Sequence, residues 1–218
     1  AYKPGHLNGL KHDYDEAMRR GMGDEVSLLD RSQLRDILQT DLYYGAIKNT
    51  RNMHLHPLNL CIGEARAAEG LGALIFENSE VLQIVHGDRP AVVTAHGRID
   101  ARQVLLAGDV YHRLEPGKLK GKIFPAMGGI VTTVPLGTLA TELNPENLAV
   151  YDCRFVLDYY RMTSDGRLLF GGGANYSGKD SRDIAAELRP CIERTFPALK
   201  GVTIDYQWSC AMGIVINR

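Results

Sequence analysis

The stretch ARQVLLAGDVY, residues 101–111, constrains the fold more than any other feature of the sequence. Its apolar run at 104–107 predicts a buried strand, and Gly108 follows at once. In open α/β sheets, ligands bind beyond the carboxyl ends of strands, where a glycine lets them approach the backbone. The first strand of such a sheet normally leads into a glycine-rich phosphate loop. The stretch therefore indicates a nucleotide-binding sheet, whose phosphate loop should be recognisable elsewhere in the sequence.

The 218 residues contain no such phosphate loop. Residues 21–23 (GMG) lack the third glycine of GxGxxG and follow the helix-like segment DEAMRR, which is typical of a helix end. The glycines at 171–173 follow a predicted strand but lead into ANYSG, which is typical of a loop. A GxxxxGK[ST] motif is also absent. We therefore expect this chain to lack the main phosphate cradle of a nucleotide-binding domain.

The composition is that of a soluble globular protein and disfavours several kinds of partner. A net charge of −1 provides no attraction to nucleic acid or to an anionic membrane. No apolar run approaches the ~20 residues that span a bilayer. The N-terminus has no signal-peptide pattern and does not begin with Met, which is typical of a processed or excised fragment. The four scattered cysteines form no CxxC pair, which predicts buried, reduced thiols in a cytoplasmic protein and no zinc site.

Three segments have the periodicity and the end signals of helices. Asp30 and Gln33 form a capping-box pattern at the start of DRSQLRDIL. Pro57 begins the helical segment PLNLCIGEARAAEG, whose apolar residues fall along one face. The segment SRDIAAELRPCIERTFP is amphipathic, although it contains Pro190. The remainder of the first fifty residues is expected to be irregular.

Short apolar runs separated by turn signals predict strands over much of the remaining sequence. The first group is ALIF, EVLQIV, AVVTA, GRID and QVLLA, and the later long strands lie in GKLKGKIFPAMGGIVTTVPL and GVTIDYQWSCAMGIVI. Segments near 154–162 and 167–172 are predicted to pair as an antiparallel hairpin around Asp165–Gly166. This dipeptide is favoured where two central residues need positive φ. The fold class is therefore α+β.

Three blocks together resemble the FAD-dependent oxidoreductases of the D-amino-acid oxidase and sarcosine oxidase superfamily, and most closely its γ-glutamylputrescine oxidase-like branch. They are HLHPLNLCIGEARAAEGLGALIFENSEVLQIV, with the family's E-x-[ST]-x-V at 77–81, then GRIDARQVLLAGDVY, and VYDCRFVLDYYRMTSDGRLLFGGGANYSG. With FPALKGVTIDYQWS, the resemblance covers roughly residues 40–218. Full-length members begin with a strand–GxGxxG–helix unit and end with a further glycine-rich segment. The chain thus resembles a central piece of such an enzyme.

The resemblance implies a fold, a reaction and a cofactor. It divides the chain into an irregular, partly helical segment at 1–49, part of a flavin-binding α/β domain at 50–112, and an antiparallel-sheet substrate domain at 113–218 that is truncated at its C-terminal end. It implies oxidation of a C–N bond in a small amine or amino acid, with hydride transfer to FAD. Val81 resembles the family's contact near the adenine, and Ala107 and Gly108 resemble its contacts near the diphosphate.

The strand RFVLDYYRM supplies the candidate substrate residues. Alternation places Phe155, Leu157, Tyr159 and Arg161 on one face, and the family's equivalent strand forms part of the wall over the flavin ring. Tyr159 can supply an aromatic surface and a hydroxyl, and Arg161 a fork for a substrate carboxylate. An ordinary amphipathic strand with a snorkelling arginine explains the pattern equally well.

Two further interpretations concern what the chain does outside that site. His54 and His56 could share one side of a strand as a metal pair, but without a third ligand we expect no metal site. Without GxGxxG, the chain alone is expected not to hold FAD tightly. The alternative function is therefore a stable, non-catalytic remnant that binds no cofactor and self-associates, as a homodimer, through exposed apolar surface.

Overall fold

A computed structural model describes residues 1–111 and 113–215. The helices are α1 (His6–Arg19), α2 (Arg31–Ile37), α3 (Pro57–Gly70), α4 (Pro116–Leu119), α5 (Thr138–Leu143) and α6 (Ile184–Thr195), with a 3₁₀ turn at Pro197–Leu199. The strands are β1 (Val26–Asp30), β2 (Gly45–Asn49), β3 (Val81–Val85), β4 (Ala91–Thr94), β5 (Arg98–Asp100), β6 (Ile123–Thr133), β7 (Val150–Tyr151), β8 (Tyr159–Met162), β9 (Leu168–Asn175) and β10 (Ile204–Val215). This mixture of helices and antiparallel sheet confirms the predicted α+β class.

The chain divides into two compact units. Unit 1 comprises Ala1–Met53 and Ala126–Cys210, and unit 2 comprises His54–Pro125 and Ala211–Arg218. The unit boundaries fall inside β6 and inside β10. The division at 49/50 and 112/113 drawn from the sequence stays a proposal, and His112 and 216–218 lie outside the described residues.

Unit 1 is built on a five-stranded sheet in the order β10-β6-β9-β8-β7. The pairs β6–β9, β9–β8 and β8–β7 are antiparallel. The helix α6 packs against one face through Ile184, Leu188 and Ile192, which recur at the four-residue spacing of a helix stripe. Fully buried Phe170 on β9 and Phe196 after α6 join this core. We call this side of the sheet the α6 face.

The sequence signals for α6 and α2 correspond to real end contacts. The Asp183 carboxylate accepts the Ala186 N–H at 2.9 Å, and α6 continues through Pro190. In α2, the Asp30 carboxylate accepts the Gln33 N–H at 2.9 Å. The Gln33 side chain in turn accepts the Asp30 N–H at 3.0 Å, which completes the predicted capping box.

The N-terminal segment is more regular than expected. Besides α2 it contains α1 and an antiparallel two-stranded sheet of β1 and β2. These two strands are short and are separated in sequence by α2, so neither has the adjacent turn that identifies a hairpin. Their pairing is a tertiary contact that local patterns do not encode.

Unit 2 contains a small antiparallel sheet in the order β3-β4-β5 and the helix α3. The predicted strand at 104–107 is wrong, because these residues join none of the sheets formed by the described residues and Leu105 is 89% exposed. A strand needs a neighbour for its ladder hydrogen bonds, and none pairs with it in the described chain. The predicted strand ALIF is likewise an exposed loop.

The apolar face of α3 is not covered within the described residues. The helix forms as predicted, yet it contains no buried residue. Leu58 is 61% exposed and Ile62, one turn further along the same face, 40%, and Leu71 just beyond the helix is 91% exposed. Large exposed apolar patches mark surfaces that contact another element or another molecule.

Two other sequence expectations can be compared with the structure. The cysteines are free, but only Cys191 is half-buried, and Cys61, Cys153 and Cys210 are exposed, so the prediction of buried thiols is wrong for three of the four. Across the described residues, no helix combines the length and the apolar character needed to cross a membrane.

The hairpin between β8 and β9 forms as predicted over Tyr159–Met162 and Leu168–Gly171, whereas 154–158 is not a strand. The Thr163 N–H donates to the Arg167 carbonyl at 2.9 Å, so the loop contains three residues. Only Gly166 has positive φ, at 75°, and Asp165 does not. The loop therefore resembles a turn closed by one left-handed glycine rather than the predicted pair of positive-φ residues.

Replacing Gly166 by valine is expected to destabilise unit 1 by about 1 kcal/mol or more, because a β-branched residue resists positive φ. The free energy of unfolding in urea measures this loss. Gly166→Asn is the matched control and should cost less, since asparagine tolerates the left-handed region. Equal losses for the two variants would contradict a role for φ at this position.

Candidate functional site

The face of the sheet opposite α6 contains the candidate substrate residues. On β8, Tyr160 and Met162 are buried on the α6 face, at 2% and 6% exposure. Tyr159 and Arg161 alternate with them and are half-buried on the other side. We call this side the opposite face. The predicted alternation is confirmed for Tyr159 and Arg161, but Phe155 and Leu157 lie outside the strand, and Phe155 is 92% exposed.

Tyr159 lies across β9 on the opposite face, where Gly171 leaves room for its ring. Gly171 is the register partner of Tyr159. A Cβ on Gly171 would come within 2.2 Å of Cζ of the Tyr159 ring, so no larger residue fits without displacing the ring. The glycine run at 171–173 lies within β9 rather than in the predicted loop, and its first residue has a packing function. Because Gly171 has no side chain, the tyrosine ring can pack directly against the sheet.

The environment of Tyr159 keeps its phenol protonated. Burial raises the pKa of Tyr159 above its ordinary value, and the nearby Cys210 raises it further. Cys210 lies on β10 two residues after Trp208, and period-two alternation therefore places both residues on the same side of that strand. A neutral tyrosine hydroxyl can donate as well as accept a hydrogen bond.

Arg161 differs from its arginine neighbours in having no carboxylate partner among the described residues. Its Nη1 donates only to the Met162 carbonyl, at 3.3 Å. Arg167, by contrast, binds Asp165 at 2.7 Å and Asp205 at 2.5 Å. The guanidinium of Arg161 thus retains both its charge and most of its donors for another acceptor.

Behind Tyr159, a charged cluster fixes the segment that enters β8. Asp152 and Asp158 are buried, with side-chain exposures of 0% and 4%. Arg154 lies between them: its Nε donates to Asp152 at 2.7 Å, and its Nη2 forms an ion pair with Asp158. Burial disfavours the charge of Arg154, but the hydrogen bonds to both carboxylates outweigh this and raise its pKa. The Asp158 carbonyl also accepts the Asp152 N–H at 3.0 Å.

The candidate cofactor residues all lie in unit 2. Val81 is half-buried at the start of β3 and pairs with Thr94. Ala107 and Gly108 are exposed and precede a turn in which the Tyr111 N–H donates to the Gly108 carbonyl at 3.0 Å. Gly108 therefore follows an extended, unpaired segment rather than a buried strand. Its backbone is accessible all the same, as an anion contact requires.

His56 has a structural role at the start of α3. His56 is the N-cap residue, and its Nδ1 accepts the Asn59 N–H at 3.3 Å. Within the described ranges 1–111 and 113–215, no group of three or more His, Cys, Asp or Glu side chains could hold a metal ion.

Sequence reasoning missed three groups of residues near the candidate sites. They are the Asp152–Arg154–Asp158 cluster, Gly171 beneath Tyr159, and Asp109, whose carboxylate accepts the Gly213 N–H at 3.1 Å. The sequence contains two acidic residues and an arginine within seven residues, a pattern from which the charged cluster could have been predicted. The contact of Asp109 with Gly213 spans 104 residues and has no local signal.

The sequence matches the family described as "DAO: FAD dependent oxidoreductase" over residues 1–217. It is 38% identical to gamma-glutamylputrescine oxidoreductase of Escherichia coli (strain K12), over 100% of this chain and 53% of that protein. It is 35% identical to the probable oxidoreductase OrdL of Rhizobium meliloti (strain 1021), over 98% of this chain and 51% of that protein. The chain thus spans about half the length of these relatives.

Solved structures share the fold at low sequence identity. Glycine oxidase from Geobacillus kaustophilus superposes with a TM-score of 0.82 at 18% identity, over 99% of this chain and 58% of that one. L-proline dehydrogenase from P. horikoshii superposes with a TM-score of 0.77 at 20% identity, over 96% and 58%. These likenesses concern the fold. Because the family match extends over nearly the whole sequence, the chain belongs to the DAO family of FAD-dependent oxidoreductases.

Proposed function

We propose that this chain supplies the substrate-binding face and part of the cofactor domain of a flavin-dependent oxidoreductase that oxidises a C–N bond of a small amine or amino acid. Membership of the DAO family supports the reaction class. The names of similar proteins, gamma-glutamylputrescine oxidoreductase and glycine oxidase, support an amine or amino acid as substrate.

One observation carries the proposal to particular residues. Tyr159 and Arg161 lie side by side on the opposite face, and Arg161 has no carboxylate partner within the described part of the chain. An arginine that serves only the fold is usually neutralised, as Arg154 and Arg167 are here. A retained guanidinium beside an aromatic hydroxyl suits a substrate that carries both an apolar body and an anionic group.

The candidate cofactor residues of unit 2 are suited to contact part of FAD, namely its diphosphate and its adenine. Ala107 and Gly108 expose backbone with little side chain, which suits close approach of a diphosphate, and Val81 offers an apolar surface for the adenine. When bound, FAD would supply the hydride acceptor for oxidation of the carbon next to the amine nitrogen. The 218 residues contain no GxGxxG, so these three residues can form only one side of the binding site.

The chain's own residues bind and orient the substrate in this proposal. The neutral hydroxyl of Tyr159 donates a hydrogen bond to the substrate, and its ring, held over Gly171, provides a flat apolar wall. Arg161 binds a substrate carboxylate through paired N–H groups. Neither residue exchanges a proton with the substrate carbon.

The Arg161→Ala variant tests this assignment in a version of the protein extended by a strand–GxGxxG–helix unit and loaded with FAD. We expect KM for a carboxylate-bearing substrate to rise about tenfold or more, because a hydrogen bond to a charged group contributes about 1.5–3 kcal/mol. KM for a simple alkylamine should barely change. Steady-state kinetics with both substrates measures the difference.

Arg161→Lys is the matched control, since it keeps the charge but loses the planar fork, and it should recover only part of the affinity. Equal effects of Arg161→Ala on both substrates would contradict a carboxylate contact. Unchanged kinetics with both would remove Arg161 from the site.

The exposed apolar face of α3 supports a second candidate. A chain that binds no cofactor and self-associates through this face would explain why Leu58 and Ile62 are uncovered. A chain that remains colourless at high FAD concentration and elutes as a dimer would support this alternative. A chain that binds FAD and remains monomeric would exclude it.

A further inference from the structure

The backbone of the turn at 108–111 has an uncommon conformation. Asp109 has a φ of 49°, in the left-handed region that few residues other than glycine adopt. Asp and Asn are the usual exceptions, because their short polar side chains can form local hydrogen bonds. A non-glycine residue persists in this region where its surroundings determine the conformation. The contacts of Asp109 must therefore be what determines its conformation.

Two hydrogen bonds tie this turn to the end of β10. The Gly213 N–H donates to Oδ2 of Asp109 at 3.1 Å. The Ala211 N–H donates to the hydroxyl oxygen of Tyr111 at 2.7 Å. Ala211 and Gly213 are two residues apart, so along a strand their N–H groups point to the same side. The two side chains thus bind consecutive donors on one edge of β10.

Gly213 leaves space for the carboxylate of Asp109 because it has no Cβ. A Cβ at this residue would lie 1.8 Å from Oδ1 of Asp109, far closer than any non-bonded contact allows. The carboxylate therefore occupies space that only a glycine leaves. The Asp109 carboxylate can therefore accept the Gly213 N–H directly, because glycine has no side chain to separate them.

We propose that Asp109 is a positioning residue, which holds the backbone of Ala107 and Gly108 in one conformation for the diphosphate of the cofactor. The inference rests on the proposed function. Residues 101–108 pair with no strand in the described chain, so no ladder of hydrogen bonds fixes them. Asp109 immediately follows these residues, and its hydrogen bond with the Gly213 N–H supplies that constraint. It also engages a carboxylate that would otherwise repel a nearby diphosphate.

Three substitutions at Asp109 separate the contributions. Asp109→Asn keeps an acceptor oxygen and tolerates the left-handed backbone, but removes the charge. Asp109→Gly keeps the backbone freedom and loses the acceptor. Asp109→Ala loses both. Gly213→Ala approaches the same contact from the other strand, and Gly117→Ala, at a residue with nothing within 4 Å of its Cβ, is the matched control.

Titration with FAD, followed by the quenching of flavin fluorescence, tests the positioning role. It should be run both on this chain and on a version extended by a strand–GxGxxG–helix unit. We expect Asp109→Ala and Gly213→Ala to weaken FAD binding about tenfold, Asp109→Gly less, and Asp109→Asn not at all. Asp109→Gly should also relieve Gly213→Ala, since it removes the group that the new methyl would strike.

Hydrogen exchange of the Gly213 amide, measured without FAD, provides an independent readout. Protection should persist in Asp109→Asn and fall in Asp109→Gly and Asp109→Ala. If the unaltered protein binds FAD and Asp109→Ala binds it equally well, the positioning role is overturned while the proposed function stands. If neither form of the unaltered protein binds FAD, the proposed function fails, and the role of Asp109 fails with it. If Asp109→Asn is as weak as Asp109→Ala, charge rather than geometry matters, and the proposal is wrong.

Discussion

Dialysed against buffer, the 218-residue chain is expected to release FAD and to retain no stoichiometric flavin. The reason is the absence of GxGxxG from this sequence. In that motif, the N-terminus of a helix and closely approaching backbone amides compensate the two phosphates. Ala107 and Gly108 can contribute backbone to one side of the diphosphate but do not replace this cradle.

The size of the effect follows from the hydrogen bonds involved. Each charge-assisted bond to a phosphate contributes about 1.5–3 kcal/mol, so three of them contribute about 4.5–9 kcal/mol. Binding should therefore be about a thousandfold to a millionfold weaker than in a protein with the complete cradle. A nanomolar affinity would become micromolar or weaker.

The visible absorbance of oxidised flavin, measured before and after dialysis, tests this expectation. The matched control is the same chain extended by a strand–GxGxxG–helix unit, which should stay yellow. Retention of one flavin per chain by the 218-residue form would contradict the prediction. It would mean that the residues of unit 2 suffice to hold the diphosphate.

Replacing Arg154 by methionine is expected to destabilise unit 1 by about 3 kcal/mol or more. Asp152 and Asp158 are buried; Arg154 is hydrogen-bonded to Asp152 and paired with Asp158, and Arg194 lies 3.6 Å from Asp158. Removing one partner of a buried ion pair leaves uncompensated charge and costs about 3–5 kcal/mol. Arg154 is itself 22% exposed, which favours the lower part of that range. The free energy of unfolding in urea at neutral pH measures the loss.

A second substitution distinguishes this explanation from lost packing. Adding Asp158→Asn should restore part of the stability at neutral pH. Arg161→Met, at an arginine without a carboxylate partner among the described residues, is the matched control and should cost far less. A deficit that Asp158→Asn leaves unchanged would contradict the charge argument.

The sequence predicted the features whose causes are local. Asp30 and Gln33 form the capping box that their spacing indicates. The amphipathic stripe of α6 persists through Pro190, because apolar residues spaced by four still meet the core. The alternation at Tyr159 and Arg161 also holds, since neighbouring side chains on a strand must point to opposite faces.

The predictions that were wrong concern features that depend on how strands pair. The apolar run at 104–107 reads as a strand, but strand formation requires a neighbouring edge that the described residues do not supply. Asp165–Gly166 reads as a pair of positive-φ residues, but the register of β8 with β9 produces a three-residue loop, in which Gly166 alone takes that conformation.

By itself, the sequence determined the mixed fold class, the helices α2, α3 and α6, the long strands, and the resemblance to FAD-dependent oxidoreductases. Helix periodicity, strand alternation and family motifs are all present in consecutive residues. Only the tertiary structure decided which glycines make room for Tyr159 and Asp109, and which arginine remains without a carboxylate. Gly171 lies beneath Tyr159, and Gly213 receives Asp109, through contacts between separate strands and turns. Such contacts depend on strand order and register, which hydrophobic pattern alone does not specify.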